Sequence, residues 1–278
     1  MKIIHMIDDY RNLCQEIDSI GKFDAFKNYT EKYPDFFNGV FKYLYCRPIE
    51  DLKDFIEFTD FDQLLKTAEK NYSDGWVDYV IATIDKTLEK IEVECAFTCL
   101  IGLEMSNIGG CATPYDWGDE QYLYVGVDRP LNKEFLDLLI PHELMHILRA
   151  QKVENFTVDT VSTRMIEEGL ASYASLWIHN LDWNTTNIAN TLNISEKQAE
   201  NLARNTDELL NMISQDGNEA ITAETMTKYF TAQSEETDLP IIGYYIGLYL
   251  THKSIENGTN FQQLISMSYD KILELWLS

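Results

Sequence analysis

Residues 138–150, with the sequence LLIPHELMHILRA, place two histidines and a glutamate inside a run of leucine and isoleucine. Apolar residues recur here at the three- and four-residue spacing that predicts a helix. They are Leu136, Leu139, Ile140, Leu144, Ile147 and Leu148. A helix in apolar surroundings would leave His142, Glu143 and His146 without polar partners, which costs free energy unless something satisfies them. The stretch therefore favours a fold in which this helix borders a cleft or a metal site.

The spacing of these three residues is typical of a metal-binding helix. Side chains four residues apart lie on the same face, with Cβ atoms about 5–6 Å from each other. The imidazoles of His142 and His146 can then reach one Zn2+ ion, whose bonds to nitrogen are about 2.0–2.1 Å long. Glu143 lies about 100° around the helix, near enough to take a proton from a zinc-bound water, whose pKa falls towards about 7. The alternative is a chance match, which a chain with five histidines would show in roughly one sequence in a hundred.

Pro141 limits how this helix is built. Proline has no backbone N–H, and it disfavours helical geometry at the preceding residue, Ile140. Either the metal-binding helix begins near Pro141, or one longer helix kinks there. Both alternatives keep His142 and His146 on one face.

A catalytic zinc site usually has three protein ligands and one position open to water. The segment STRMIEEGLASYASLWI, residues 162–178, offers Glu167 and Glu168 in an otherwise apolar helix. Gly169 permits close approach of two helices at that point. We expect Glu168 to be the third ligand and Glu167 to lie on a solvated surface. The alternative is that both glutamates are solvated.

Two further motifs support a resemblance to a known family. H-E-x-x-H followed by E-G-L-A resembles the gluzincin clan of zinc metallopeptidases. More narrowly, residues 90–258 resemble the YjaZ-like predicted zinc-dependent proteases through IPHELMH, IEEGLASY and the later GYYIGLYL at residues 243–250. The resemblance implies that His142, His146 and Glu168 bind one zinc ion and that Glu143 is the general base. It assigns no role to Glu167.

A peptidase also needs a hydrogen-bond donor for the oxyanion that forms during hydrolysis. Gluzincins commonly use a tyrosine or histidine from a downstream segment, and Tyr244 and Tyr245 fit that role by position. Only one of them can face the site, and the alternative for each is a half-buried phenol that reaches water. His179 and His252 are weaker candidates.

The order of sequence patterns predicts an α+β fold. Residues 1–90 show helical spacing and predict an N-terminal helical subdomain, and residues 91–278 predict a gluzincin-like catalytic domain with a helical insert near residues 182–239. IEVECAFTCLIGLE and QYLYVGVD predict two strands of a small mixed sheet, with SNIGGCATPYDWG as a loop between them. The strand YLYVGVD is either an edge strand, which could bind an extended peptide, or an interior strand.

Composition excludes several classes of partner. The net charge of −24 disfavours nucleic acid and anionic membranes, because polyanions would be repelled. No apolar run approaches the roughly 18 residues of a membrane helix, and the N-terminus does not resemble a secretory signal. Five scattered cysteines are typical of reduced thiols in the cytoplasm.

The sequence thus predicts a cytoplasmic zinc-dependent metallopeptidase acting on a peptide or protein substrate. One alternative is a metallopeptidase-like protein, restricted to one target or inactive, that acts in regulation or protein binding and uses residues 182–239 as a partner surface. Another is a hydrolase resembling peptide deformylase, with Cys111 as the third ligand. No motif around Cys111 matches that family.

Overall fold

The structure is a computed structural model that describes residues 1–45, 47–103, 109–113, 120–154, 156–231 and 239–277. By contacts the chain divides into two compact units, Met1–Leu139 and Ile140–Ser278. The predicted loop SNIGGCATPYDWG lies largely outside the described residues, although residues 109–113 within it are described. No helix in the described ranges combines the length and apolar composition that crossing a bilayer requires.

The first unit contains a four-stranded mixed sheet, which confirms the predicted α+β class. Its strands, in chain order, are β1 (Lys2–His5), β2 (Thr98–Gly102), β3 (Gly110–Ala112) and β4 (Tyr122–Gly126). The spatial order is β1-β2-β4-β3, with β1, β2 and β4 parallel and β3 antiparallel to β4. Of the two alternatives for YLYVGVD, the edge strand is wrong and the interior strand is correct, because β3 forms within the predicted loop and pairs with the outer side of β4.

Six α-helices of the described chain lie between β1 and β2. They are α1 (Ile7–Ile20), α2 (Lys22–Thr30), α3 (Pro34–Gly39), α4 (Lys53–Phe58), α5 (Phe61–Ser73) and α6 (Trp76–Ile91). A π-helical turn at Val40–Leu44 and a 3-10 turn at Ile49–Leu52 connect α3 to α4.

These helices belong with the sheet rather than forming a subdomain of their own. Strand β1 pairs with β2 across the whole helical segment, and Asn71 on α5 donates to the carbonyls of Val127 and Arg129 at 2.8 and 2.7 Å. Phe36 on α3 stacks on Tyr124 of β4 with ring centroids 4.9 Å apart. The boundary between the compact units therefore lies at residue 139, whereas the sequence predicts one near residue 90.

The helix α7 (Lys133–Lys152) spans that boundary, and eight described helices follow it. They are α8 (Val161–His179), α9 (Thr185–Leu192), α10 (Glu196–Arg204), α11 (Thr206–Asp216), α12 (Ala223–Phe230), α13 (Ile242–Glu256), α14 (Phe261–Ile265) and α15 (Tyr269–Leu277). Helices α9 to α12 correspond to the predicted helical insert.

The packing of α8 against α13 forms the centre of the second unit. Nearly every residue of α8 is buried, as expected of a helix that is apolar on all sides. The two helices meet at Gly169 and Gly247, where a Cβ atom added to Gly169 would lie 2.5 Å from the Cα of Gly247. Only glycine allows the two backbones to come this close, and the contact places the middle of α8 against the second turn of α13.

Candidate metal site

The candidate site lies wholly in the second unit and begins with α7. This helix continues through Pro141, so the second of the two predicted alternatives, one longer helix, is correct. His142 and His146 project from the same face, as their spacing predicts, and their Nε2 atoms are 3.3 Å apart. The ring planes meet at 79°, so two imidazole nitrogens converge on one point from different directions.

Glu168 on α8 brings a third potential ligand atom to that point. Its Oε2 atom lies 3.3 Å from Nε2 of His142 and 3.6 Å from Nε2 of His146. Ligand atoms at 2.0–2.1 Å from one tetrahedral zinc ion lie about 3.3–3.4 Å from each other. The triangle of the three atoms therefore has the dimensions that a single zinc ion requires. A search of the described residues for three or more His, Cys, Asp or Glu side chains close enough to share one metal ion finds this group, His142, His146 and Glu168.

The chemistry of the three atoms also fits a cation. Oε2 of Glu168 is buried and has no hydrogen-bond partner among the described residues, although buried carboxylate oxygens normally have one. The two Nε2 atoms face each other and the same carboxylate oxygen. Each of these three atoms can donate an electron pair, and all three point at the same place. A metal ion bound there would accept all three pairs at once.

Arg164 holds Glu168 in the orientation that this geometry needs. Its Nη2 atom lies 2.7 Å from Oε1 of Glu168, one helical turn further along α8. Burial by itself would raise the pKa of the Glu168 carboxyl, but Arg164 and His146 hold that pKa well below its usual range. Glu168 is therefore ionised, and with Oε1 engaged by Arg164, its Oε2 is left facing the two histidines.

Glu167 is also buried, and the prediction that it lies on a solvated surface is wrong. Only 2% of the residue is exposed, and its Oε1 lies 2.5 Å from Nε of Arg149, which is fully buried. The Arg149 Nη1 atom donates to the carbonyls of Leu264 and Ile265 at 2.7 and 3.1 Å. One signal was present in the sequence, since Arg149 interrupts the apolar run of α7 and a buried arginine requires an acidic partner.

The carboxylates around His146 attract positive charge to the site. Burial lowers the pKa of the His146 imidazole, but Glu168 and Glu167 outweigh that effect and raise the pKa to about 10. The surroundings of His146 therefore favour one additional positive charge, which either a proton or a metal ion can supply.

Glu143 lies beside this cluster without belonging to it. It is half-buried on α7, and its charge contributes to raising the pKa values of both His146 and Tyr244. Its carboxylate is thus within electrostatic range of both His146 and Tyr244.

The structure distinguishes between the two candidate tyrosines. The ring of Tyr244 lies nearly parallel to that of His142, with centroids 6.5 Å apart, and burial raises the pKa of its phenol against the smaller opposite effect of Arg164. Tyr245 is buried elsewhere, with its hydroxyl 3.0 Å from Oγ1 of Thr206. Neighbouring residues on a helix point about 100° apart, so only Tyr244 lies at the cluster.

The remaining candidates do not belong to the cluster. His252 stacks on Trp183 with ring centroids 3.9 Å apart and pairs with Glu256. His179 lies in the last turn of α8, and Cys111 lies in β3. Four described cysteines, Cys14, Cys95, Cys99 and Cys111, form no disulfide bond, and Cys46 lies outside the described residues.

Comparison with known proteins adds no family to this description. No protein-family model matches the chain, and no curated protein matches it. The resemblance to YjaZ-like proteases and the gluzincin clan therefore stays a prediction from the motifs, and function has to be inferred from the chemistry of the cluster.

Proposed function

We propose that this chain is a zinc-dependent metallopeptidase that hydrolyses bonds in a peptide or protein substrate. The observation that carries the proposal is the convergence of Nε2 of His142, Nε2 of His146 and Oε2 of Glu168 within 3.3–3.6 Å of one another. Two imidazoles and one carboxylate suit zinc. Three protein ligands, rather than four, are typical of a catalytic site in which one position stays open.

Zinc bound there would lower the pKa of a water molecule and polarise the carbonyl of the scissile bond. Glu143 then acts as the general base, because its carboxylate adjoins the cluster but is not one of the ligands. It accepts a proton from the attacking water and transfers it to the nitrogen of the leaving amine.

Tyr244 is the residue best placed to stabilise the oxyanion. Arginine has hydrogen-bond donors and no acceptor, so the neighbouring Arg164 cannot take up the phenol proton of Tyr244, which stays available for donation. Burial raises the pKa of this phenol above its ordinary value, which keeps the phenol protonated at neutral pH. A neutral donor next to the ligand cluster is what an oxyanion requires.

Metal analysis of the purified chain without a histidine tag tests the site. We expect about one zinc ion per wild-type chain and a sharp loss in Glu168→Gln, because the amide is a poor metal ligand. No zinc in the wild type, even after zinc addition, would refute the proposal.

A peptide-library screen with wild type and Glu143→Gln then tests the reaction. Cleavage by the wild type and none by a zinc-loaded Glu143→Gln variant is the expected result. Cleavage by both would remove Glu143 as the base. Zinc binding without cleavage by either would favour the alternative, a protein that uses this site in regulation or binding.

We place the enzyme in the cytoplasm because its scattered cysteines are typical of reduced thiols.

A further inference from the structure

We propose that Glu167 is a positioning residue that holds the His146 imidazole with Nε2 facing the metal, and that Arg149 fixes Glu167 for this task. The inference rests on the proposed zinc site. It assigns a function to a buried acidic residue for which the family resemblance provides none.

The consecutive residues Glu167 and Glu168 lie against different nitrogens of the same imidazole. Oε2 of Glu168 is 3.6 Å from Nε2 of His146, whereas Oε2 of Glu167 is 3.8 Å from Nδ1. A histidine that binds a metal through one nitrogen usually donates the N–H of the other to a carboxylate or carbonyl, which fixes both the tautomer and the ring orientation. Glu167 is the carboxylate on the Nδ1 side.

The other end of Glu167 is immobilised by a buried arginine. Nε of Arg149 lies 2.5 Å from Oε1 of Glu167, and Nη1 of Arg149 donates to the carbonyls of Leu264 and Ile265 at the end of α14. Oε2 of Glu167 has no hydrogen-bond partner among the described residues and lies on the side of His146. The contacts therefore run from the end of α14 through Arg149 and Glu167 to the metal-binding imidazole.

A stabilising role alone gives a poorer account of this arrangement. A buried ion pair is often no better for stability than well-packed apolar side chains of the same size. A purely stabilising ion pair between Arg149 and Glu167 also does not explain why Oε2 of Glu167 faces Nδ1 of His146. Placing that oxygen beside Nδ1 has a direct consequence for metal binding, because it favours the tautomer with a free Nε2.

Zinc affinity tests the proposal without relying on enzymatic activity. The dissociation constant is measured by competition with a chromophoric chelator for the wild type, Glu167→Gln and Leu202→Ala, all at a temperature where each is folded. Glutamine keeps the length of the side chain and can still accept from Arg149, but it loses the charge beside Nδ1. Leu202→Ala is the control, since it removes a fully buried side chain on α10, a helix that supplies none of the residues of the cluster.

We expect the zinc dissociation constant of Glu167→Gln to rise about 10- to 100-fold and that of Leu202→Ala to stay at the wild-type value. The visible spectrum of the cobalt-substituted protein should change in Glu167→Gln alone, because His146 is then held differently. If Glu167→Gln does not fold, Glu167→Asp replaces it, with the same direction expected because the shorter side chain withdraws from Nδ1.

Three results would overturn the inference in distinguishable ways. Equal zinc affinity of the wild type and the folded Glu167 variant would remove Glu167 from the site but leave the proposed function intact. An equal loss of affinity in Leu202→Ala would show that loss of stability, rather than positioning, is responsible. Absence of zinc binding by the wild type would refute the proposed function and this inference together.

Discussion

Replacing Gly247 by alanine should push α8 and α13 apart and weaken the metal site. The added Cβ atom would lie 2.1 Å from the carbonyl oxygen of Met165 and 2.9 Å from the Cα of Gly169, whereas non-bonded heavy atoms pack best at about 3.5–4.0 Å. These obstacles are backbone atoms and cannot rotate aside. The helices must therefore separate by at least about 1 Å next to Glu168, which supplies one corner of a triangle with edges of 3.3–3.6 Å.

Two opposing effects set the change in the free energy of unfolding of Gly247→Ala. Overpacking a well-packed contact costs about 1–3 kcal/mol, and a contact with backbone belongs at the upper end of that range. Alanine recovers up to about 1 kcal/mol over glycine inside a helix. We therefore expect Gly247→Ala to lower the free energy of unfolding by about 2 kcal/mol and to raise the zinc dissociation constant, as measured by urea unfolding and chelator competition.

Gly258→Ala, in the turn that follows α13, provides a matched control. A Cβ atom there meets nothing within 4 Å, but the backbone has φ +96, so the cost is confined to strain of about 1–2 kcal/mol. Its zinc affinity should equal that of the wild type. The steric argument is refuted if Gly247→Ala matches the wild type in both stability and zinc affinity.

Three further predictions concern the reaction and the metal. Glu143→Gln should lower turnover at least about 100-fold while keeping one zinc per chain, because the amide cannot accept the proton. Parallel cleavage assays and metal analysis check this prediction, and undiminished cleavage would contradict it. Tyr244→Phe should lower kcat about 100-fold with little change in KM, whereas Tyr245→Phe should leave kcat unchanged and cost about 1 kcal/mol of stability through its lost bond to Thr206. Equal kcat values for the two variants would contradict the assignment of Tyr244. Removing zinc with a chelator should lower the free energy of unfolding by about 4 kcal/mol when free zinc had been a thousand times its dissociation constant, and an unchanged thermal midpoint would contradict a site that forms with the fold.

Local rules predicted the parts of the site that lie within one element. Helical geometry places residues four apart on one face whatever surrounds the helix, so the pairing of His142 with His146 followed from their spacing. The small glycine at position 169 likewise indicated a close helix contact, which is where Gly247 lies. Glu168 was predicted as the third ligand because it lies in an apolar helix downstream of the histidines, and the resemblance to gluzincins implies the same role for the glutamate that precedes the glycine.

Other features depended on contacts between segments that are distant in the chain. Strand β4 is interior because β3 pairs with it, and the first 90 residues join the sheet because β1 pairs with β2. Alternation of apolar and polar residues predicts a strand but does not identify its neighbours. The sequence therefore predicted the class of the fold, but it left the position of β4 in the sheet undecided and did not indicate that β1 pairs with β2.

The sequence by itself determined that one helix carries two imidazoles and a carboxylate at metal-binding spacing. Only the tertiary structure decided which tyrosine joins them and that Glu167 is buried rather than solvated. The buried charge of Glu167 is paired with Arg149. Arg149 in turn donates to carbonyls of α14 that lie 115 and 116 residues further along the chain. Helical spacing fixes neighbours within one element, whereas the burial and pairing of a charge depend on every element packed around it, and that packing exists only in the folded chain.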